Sequence, residues 1–153
     1  RDFGAVISPF NSWLLIQGVE TLSLRIKQQS KSAKKIAKFL EKQGLKVNYP
    51  LLKNDENYPF AKKYLKYAGG IVSFEVESFE KAKKIVKKLK LFSLVTNIGD
   101  SKSIVTHPAS TTHQQLTKEE LKKAGVPAGL IRLSIGLESV DDLIKDLKKA
   151  MKG

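Results

Sequence analysis

Arg132 is the side chain of this sequence best suited to bind an anion. It lies in an otherwise apolar segment, Leu130-Ile-Arg-Leu-Ser-Ile135, in which strand alternation places Arg132 on the face opposite Ile131 and Leu133. An arginine in a core strand is costly unless it is paired, so a planar fork for a carboxylate or phosphate is one interpretation. An internal acid as its partner, or an exposed sheet edge, would explain the same residue without a function, and the residue type leaves both open.

A long polar segment, 97–113, is the second place where chemistry could occur. It begins with Asn97-Ile-Gly-Asp100, ends with His107-Pro-Ala-Ser-Thr-Thr-His113, and has neither a helical nor a strand period. Glycine, asparagine and hydroxyl residues are typical of anion binding through the backbone, although they also make ordinary turns. Loops of this length are usually functional.

Other catalytic patterns receive little support. His107 and His113 are the only histidines, and no third ligand stands at a recognisable spacing, so we predict no metal site. Ser103, His113 and Asp100 can be combined on paper as a hydrolase triad, but the sequence has no Gly-x-Ser-x-Gly elbow. Gly69-Gly70 is an isolated pair before a strand and does not predict a phosphate-cradling loop.

Composition limits the class of protein. The 153 residues suit one domain, or a domain with an appended element, and 41% of them are hydrophobic, which indicates a folded core. Without cysteine there are no disulfides or thiolate metal sites. No apolar run approaches the roughly 20 residues that span a bilayer, and no secretory signal is recognisable. We therefore expect a cytoplasmic protein without a membrane partner; the missing initial Met hints at a fragment.

The charge is strongly positive, with a formal net charge of +13. The lysines of 31–42 and 81–90 interleave with apolar residues at helical spacing, which is typical of the solvated face of an amphipathic helix. Arginine, the residue that reads guanine in DNA, occurs only three times. The aromatic signature of an RNA-binding sheet is also missing from the sequence, so we expect no nucleic-acid partner.

The elements that must position these residues alternate between helices and strands. Ser8-Pro9 predicts the start of one long helix that runs to about Gln43, and its first half, Phe10 to Leu24, is apolar on nearly every side. Such a helix is expected to pack against something beyond its own small domain. Strands are predicted at 46–49, 71–76, 92–95 and 130–135, and helices at 59–65, 78–89, 117–125 and 139–151. The fold class is α/β, an α+β sandwich with a small mixed or antiparallel sheet of about four strands and helices on one face.

Several segments together resemble the cystathionine γ-synthase-like family of pyridoxal-phosphate enzymes. The resemblance covers essentially the whole chain, from Ser8-Pro-Phe-Asn-Ser-Trp13 onward, and is strongest at 97–113 and in Leu130-Ile-Arg-Leu-Ser-Ile-Gly-Leu-Glu138. Asn97 with Gly-Asp, followed by Ser-Thr-Thr-His113, is more similar to the sulfhydrylases of the family than to its lyases and synthases. The resemblance implies the C-terminal domain of a fold-type I enzyme.

The resemblance also implies roles for individual residues. Arg132 matches the arginine that binds the substrate α-carboxylate, Asn97 matches a position whose backbone helps hold it, and Thr112 matches a threonine lining the pocket. The implied reaction replaces the γ-acetoxy group of an amino acid by sulfide and gives homocysteine. The resemblance further implies that the chain has two parts. Residues 1–43 form a long linking helix and the domain entrance, and residues 44–153 form the C-terminal α/β domain that binds the substrate carboxylate. Full-length relatives are expected to be tetramers.

One departure from the family pattern is large, because no Ser-x-Thr-Lys motif for the Schiff-base lysine occurs in this sequence. We therefore expect no catalytic and no cofactor-binding residue in this chain, no pyridoxal phosphate bound to it alone, and no activity without an N-terminal, lysine-bearing half of the same enzyme. Two alternatives stay open. One is a sibling activity, cystathionine γ-synthase or methionine γ-lyase; the other is a non-catalytic binding module whose basic surface attracts acidic partners.

Overall fold

The computed structural model describes residue 4 and residues 6–152, with the backbone alone at Lys118 and Lys122. The described helices are α1 (Pro9–Glu20), α2 (Leu22–Lys42), α3 (Tyr58–Tyr64), α4 (Phe79–Lys88), α5 (Lys118–Lys123) and α6 (Val140–Met151), with a 3₁₀ turn at Pro108–Ser110. The strands are β1 (Lys46–Asn48), β2 (Ile71–Glu75), β3 (Ser93–Leu94), β4 (Ile104–Thr106) and β5 (Leu130–Ser134). Residues 1–3 and 5 of the first predicted domain (1–43) and residue 153 of the second (44–153) lie outside the described residues.

The strands form one mixed sheet in the order β1-β2-β5-β4-β3. β3 and β4 run parallel, and the other neighbouring pairs are antiparallel. β5 is the central strand, and Arg132 stands in register between Ser73 of β2 and Thr106 of β4. The sheet confirms the predicted α/β class, with five strands rather than about four.

The hydrophobic core lies between one face of this sheet and helices α2, α4 and α6. Ile131 and Leu133 of β5 are fully buried there, together with Ile36 and Leu40 of α2 and Leu143 of α6. Because side chains alternate along a strand, Arg132, which stands between Ile131 and Leu133 on β5, faces the other side of the sheet. That face is the one that these three helices leave open.

Local capping chemistry fixes several helix ends at the predicted residues. The Ser8 hydroxyl accepts a hydrogen bond from the Asn11 N–H at 3.2 Å, and the Ser78 hydroxyl accepts one from the Lys81 N–H at 3.2 Å. Thr117 and Glu120 form the reciprocal pair of a capping box, in which the Thr117 N–H donates to Glu120 and the Glu120 N–H donates to the Thr117 hydroxyl. These helix starts confirm the sequence prediction.

The single long N-terminal helix was a wrong prediction, because the chain breaks at Thr21 into α1 and α2. Thr21 has φ −99° and ψ 1°, outside the helical range. The Arg25 guanidinium donates to the carbonyl of Gly18, and the Arg25 Nε donates to the Thr21 hydroxyl at 3.4 Å, so a side chain satisfies polar groups that the break exposes. The apolar pattern continues on both sides of Thr21 and therefore gave no sign of the break.

Helix α1 has no buried residue among the described ones. Its apolar side chains are largely exposed, with Phe10 at 64%, Trp13 at 54% and Val19 at 66% of their full accessible surface. The hydrophobic core beneath α2 therefore does not bury the apolar side chains of α1. Of the helices in the described part of the chain, none is long and apolar enough to cross a membrane.

Strand β4 lies inside the segment that the sequence predicted to be without regular structure. Ile104, Val105 and Thr106 are all buried, so the alternation that marks a half-exposed strand is missing. Three residues are also too few for periodicity to be recognised. The strand exists because β5 and β3 pair with it on its two sides.

Candidate functional site

Arg132 is half-buried on the open face of the sheet, and its guanidinium reaches the start of the polar segment 97–113. Its Nη2 donates to the carbonyl oxygen of Thr96 at 3.2 Å. None of the ion pairs formed by the described residues includes Arg132. A guanidinium has five N–H donors in a planar fork, so the single bond to Thr96 leaves donors that can bind a carboxylate.

Ser134 is the second residue of β5 that holds the polar segment. It is buried, lies two positions beyond Arg132 on the same face, and its hydroxyl accepts a hydrogen bond from the Gly99 N–H at 3.0 Å. The two bonds from β5, at Thr96 and at Gly99, therefore bracket Asn97. Asn97 is itself exposed, and its Oδ1 accepts from the N–H of Ile98 at 2.9 Å.

The next residues of the segment are fixed by the chain that follows β5. Ser103 donates from its N–H to Glu138 Oε1 at 2.7 Å and from its hydroxyl to Glu138 Oε2 at 2.8 Å. The Ser103 hydroxyl also accepts from the Gly136 N–H at 2.9 Å, and the Leu137 N–H donates to the Ser101 carbonyl at 2.8 Å. The part of the segment before β4 is thus tied to residues 134–138 along most of its length.

Helix α2 adds a contact from a distant part of the sequence. The side-chain amide of Gln29 is buried and donates to the carbonyl of Asp100 at 2.8 Å. The Asp100 carboxylate accepts from the Lys102 N–H at 3.0 Å and from the Ser101 hydroxyl at 3.2 Å, and these donors lower its pKa. Asp100 therefore closes a local turn and its carboxylate is used within the loop.

Thr112, the third predicted site residue, is exposed and lies beyond the 3₁₀ turn that follows β4. Its hydroxyl is hydrogen-bonded to His113 Nδ1 at 2.8 Å. Among the described residues, no hydrogen bond joins Thr112 to Arg132 or Asn97. The structure thus brings Arg132 to the residue before Asn97, whereas the role of Thr112 stays a prediction.

The two histidines have partners of their own. His107 is buried, with Nε2 at 2.8 Å from the Ala128 carbonyl and Nδ1 at 2.8 Å from the Ser110 hydroxyl, and Phe79 packs edge-on against its ring. His107 therefore fastens the turn after β4 to the start of β5. The residues 100, 103 and 113 of the hypothetical triad do not bond to one another, since Ser103 is committed to Glu138 and His113 to Thr112.

A covalent aldehyde cofactor needs an amine whose setting lowers its pKa. Every lysine whose side chain the structure describes is exposed. The described residues therefore do not fit the covalent attachment of pyridoxal phosphate. The groups of this site that can contact a ligand are the Arg132 guanidinium and the backbone of segment 97–113.

Sequence reasoning identified Arg132 but missed Ser134 and Glu138. Ser134 carried a signal, because alternation already placed it on the same face as Arg132. Glu138 carried none, since its partner Ser103 is 35 residues away in the sequence. Only the three-dimensional path of the chain reveals that pair.

The fold and the site define an α/β domain that can bind an anion through an arginine on the open face of its sheet. The chain belongs to the family of Cys/Met metabolism PLP-dependent enzymes, whose family model matches residues 1–152. It is 54% identical to an O-acetyl-L-homoserine sulfhydrylase from Leptospira meyeri over 99% of this chain and 36% of that relative. It is 41% identical to an L-methionine γ-lyase from Fusobacterium nucleatum subsp. polymorphum over 97% of this chain and 38% of the relative.

A solved structure gives the same assignment. The crystal structure of a putative O-acetylhomoserine (thiol)-lyase from Campylobacter jejuni, with N'-pyridoxyl-lysine-5'-monophosphate, superposes with a TM-score of 0.91 and 51% identity over 100% of this chain and 37% of that one. The chain thus spans little more than a third of the length of these relatives.

Proposed function

We propose that this chain forms the substrate-carboxylate region of a pyridoxal-phosphate-dependent O-acetylhomoserine sulfhydrylase. The observation that carries the proposal is the position of Arg132: half-buried on the open sheet face, bonded to the Thr96 carbonyl, and with donors left over. Its fork binds the α-carboxylate of the amino-acid substrate, and the backbone at Asn97 and the side chain of Thr112 complete the site. A lysine-bearing part of the same enzyme supplies the cofactor and the covalent chemistry.

The choice of activity within the family rests on likeness. The identity to the sulfhydrylase, 54%, exceeds the 41% identity to the methionine γ-lyase. Asn97-Ile-Gly-Asp100 and Ser110-Thr-Thr-His113 also resemble the sulfhydrylases. The enzyme would replace the acetate of O-acetylhomoserine by sulfide and release homocysteine.

The rest of the assembly follows from the same proposal. Residues 1–43 link to the lysine-bearing part and residues 44–153 form the carboxylate domain. The exposed apolar side chains of α1 are the natural contact surface for that other part. The complete enzyme would be a cytoplasmic homotetramer.

Arg132→Lys in the full-length enzyme tests the proposal. Lysine keeps the charge but loses the bidentate fork, so the KM for O-acetylhomoserine should rise by roughly tenfold or more, as expected for the loss of a charge-assisted hydrogen bond. The KM for sulfide should not change, because sulfide has no carboxylate. Arg25→Lys, at the break between α1 and α2, is the matched control.

Two results would contradict the proposal. An unchanged KM for O-acetylhomoserine in Arg132→Lys would remove the carboxylate role. Wild-type enzyme that cleaves methionine but makes no homocysteine from O-acetylhomoserine and sulfide would leave the sibling lyase in its place.

A further inference from the structure

Glu138 lies outside the predicted site, yet its side chain holds the loop that carries Asn97. Its two carboxylate oxygens accept the N–H and the hydroxyl of Ser103 at 2.7 and 2.8 Å, and Ser103 is buried. Hydrogen bonds to an ionised acceptor are about twice as strong as neutral ones, and low exposure strengthens them further. Glu138 is thus a rigid attachment point for residue 103.

The attachment continues toward the arginine through a chain of contacts. The Ser103 hydroxyl accepts from the Gly136 N–H at 2.9 Å, the Leu137 N–H bonds the Ser101 carbonyl at 2.8 Å, and Ser134 bonds Gly99 at 3.0 Å. These bonds run along the backbone in the direction of Thr96, whose carbonyl Arg132 bonds. A loop released at residue 103 would therefore loosen the segment that lies against the guanidinium.

The space at Gly136 shows how closely the two chain segments approach. A Cβ built there would lie 2.5 Å from Glu138 Oε2 and 2.5 Å from the carbonyl carbon of Lys102. Only a residue without a Cβ fits here, because the loop backbone and the Glu138 carboxylate both lie directly against Gly136.

We propose that Glu138 is a positioning residue for the substrate carboxylate: it holds loop 96–103 so that the backbone at Asn97 and the Arg132 fork face one ligand. The inference rests on the proposed carboxylate function of Arg132 and names a residue that does not touch the substrate. Gly136 and Ser103 are its intermediaries.

The test compares Glu138→Gln with Asp141→Asn in the full-length enzyme. Glutamine keeps the shape but loses the charge and presents an amide donor to the Ser103 hydroxyl; Asp141 is an exposed carboxylate in the first turn of α6, so its change removes the same charge from the same region. We expect Glu138→Gln to raise the KM for O-acetylhomoserine by roughly tenfold, with kcat within about twofold and the KM for sulfide unchanged. Asp141→Asn should leave all three values unchanged.

A KM for O-acetylhomoserine that stays at the wild-type value in folded Glu138→Gln would overturn the proposal, and so would equal losses for both substrates, which indicate general damage. If Glu138→Gln does not fold, Ser103→Ala decides by the same readout, because it retains the Ser103 N–H bond and removes the hydroxyl. Arg132→Lys separates the two hypotheses. A high KM there with a normal KM in Glu138→Gln refutes the positioning role alone, and a normal KM in Arg132→Lys refutes the carboxylate function itself.

Discussion

Arg132 and Ser134 project from the same face of β5 and bond the neighbouring loop at points three residues apart. Arg132 donates to the Thr96 carbonyl at 3.2 Å, and Ser134 accepts from the Gly99 N–H at 3.0 Å. The two side chains leave the strand about 7 Å apart, because they are two residues apart on it. β5 therefore holds the loop on both sides of Asn97.

Gly136→Ala should destabilise the chain. The new Cβ would meet Lys102 and Glu138 at 2.5 Å, as well as the Ser101 carbonyl, and the loop backbone cannot move without losing its hydrogen bonds. We expect a loss of about 1–3 kcal/mol in the free energy of unfolding, measured by urea denaturation.

Gly18→Ala is the control for this substitution. Gly18 lies in α1, and apart from the neighbouring backbone of its own helix no atom of the described residues lies within 4 Å of its Cβ position, so alanine should be neutral or stabilise by up to about 1 kcal/mol. Equal stability of Gly136→Ala and the unchanged chain would show that the loop does not press on the glycine.

Tyr49 should make the fold sensitive to strong alkali. Its hydroxyl is buried beside the carbonyls of Ser30 and Gly69, both at 3.2 Å, and burial raises its pKa from 10.0 to about 12. Because the folded state holds this proton more tightly than the unfolded chain, the stabilisation is complete below the unfolded pKa and is lost as the pH rises toward 12. The loss should reach roughly 2 kcal/mol.

The measurement is the free energy of unfolding as a function of alkaline pH for the chain and for Tyr49→Phe. The two proteins differ only in the hydroxyl of residue 49, so the difference between the two curves reports Tyr49. As the pH rises from 10 toward 12, the free energy of unfolding of the tyrosine protein should fall relative to that of Tyr49→Phe. Parallel curves would mean that the hydroxyl is not buried as described.

The polypeptide of 153 residues, produced alone, should not form an internal imine with pyridoxal phosphate. The described lysines are exposed, and none has the apolar setting that an imine-forming lysine requires. Addition of the cofactor should give no stable absorbance band of the protein-bound imine after gel filtration, and no homocysteine from O-acetylhomoserine and sulfide. A retained band together with turnover would refute this expectation.

Local chemistry was readable from the sequence, and contacts between distant segments were not. The helix starts at Ser8, Ser78 and Thr117 depend on residues three positions apart, so they could be predicted. Arg132 was conspicuous because a charge in an apolar strand needs an explanation. The fold class followed from the alternation of helices and strands.

The missed features share a physical cause. Strand β4 exists through pairing with β5, which is distant in sequence, and the break at Thr21 is supported by the side chain of Arg25. The bond between Glu138 and Ser103 joins residues that no periodicity relates. Each depends on the folded path of the chain, which a pattern of residue types does not contain.

The parallel pair β3–β4 limits how the loop at the site can change. Only residues 95–103 connect Leu94 to Ile104, whereas parallel neighbours ordinarily need about a dozen residues or more to return to the same end of a sheet. The connection therefore has almost no slack, and a deletion within it would pull one strand out of register. Variation among related proteins, whether natural or engineered, should accordingly exchange side chains along this stretch and keep its length constant.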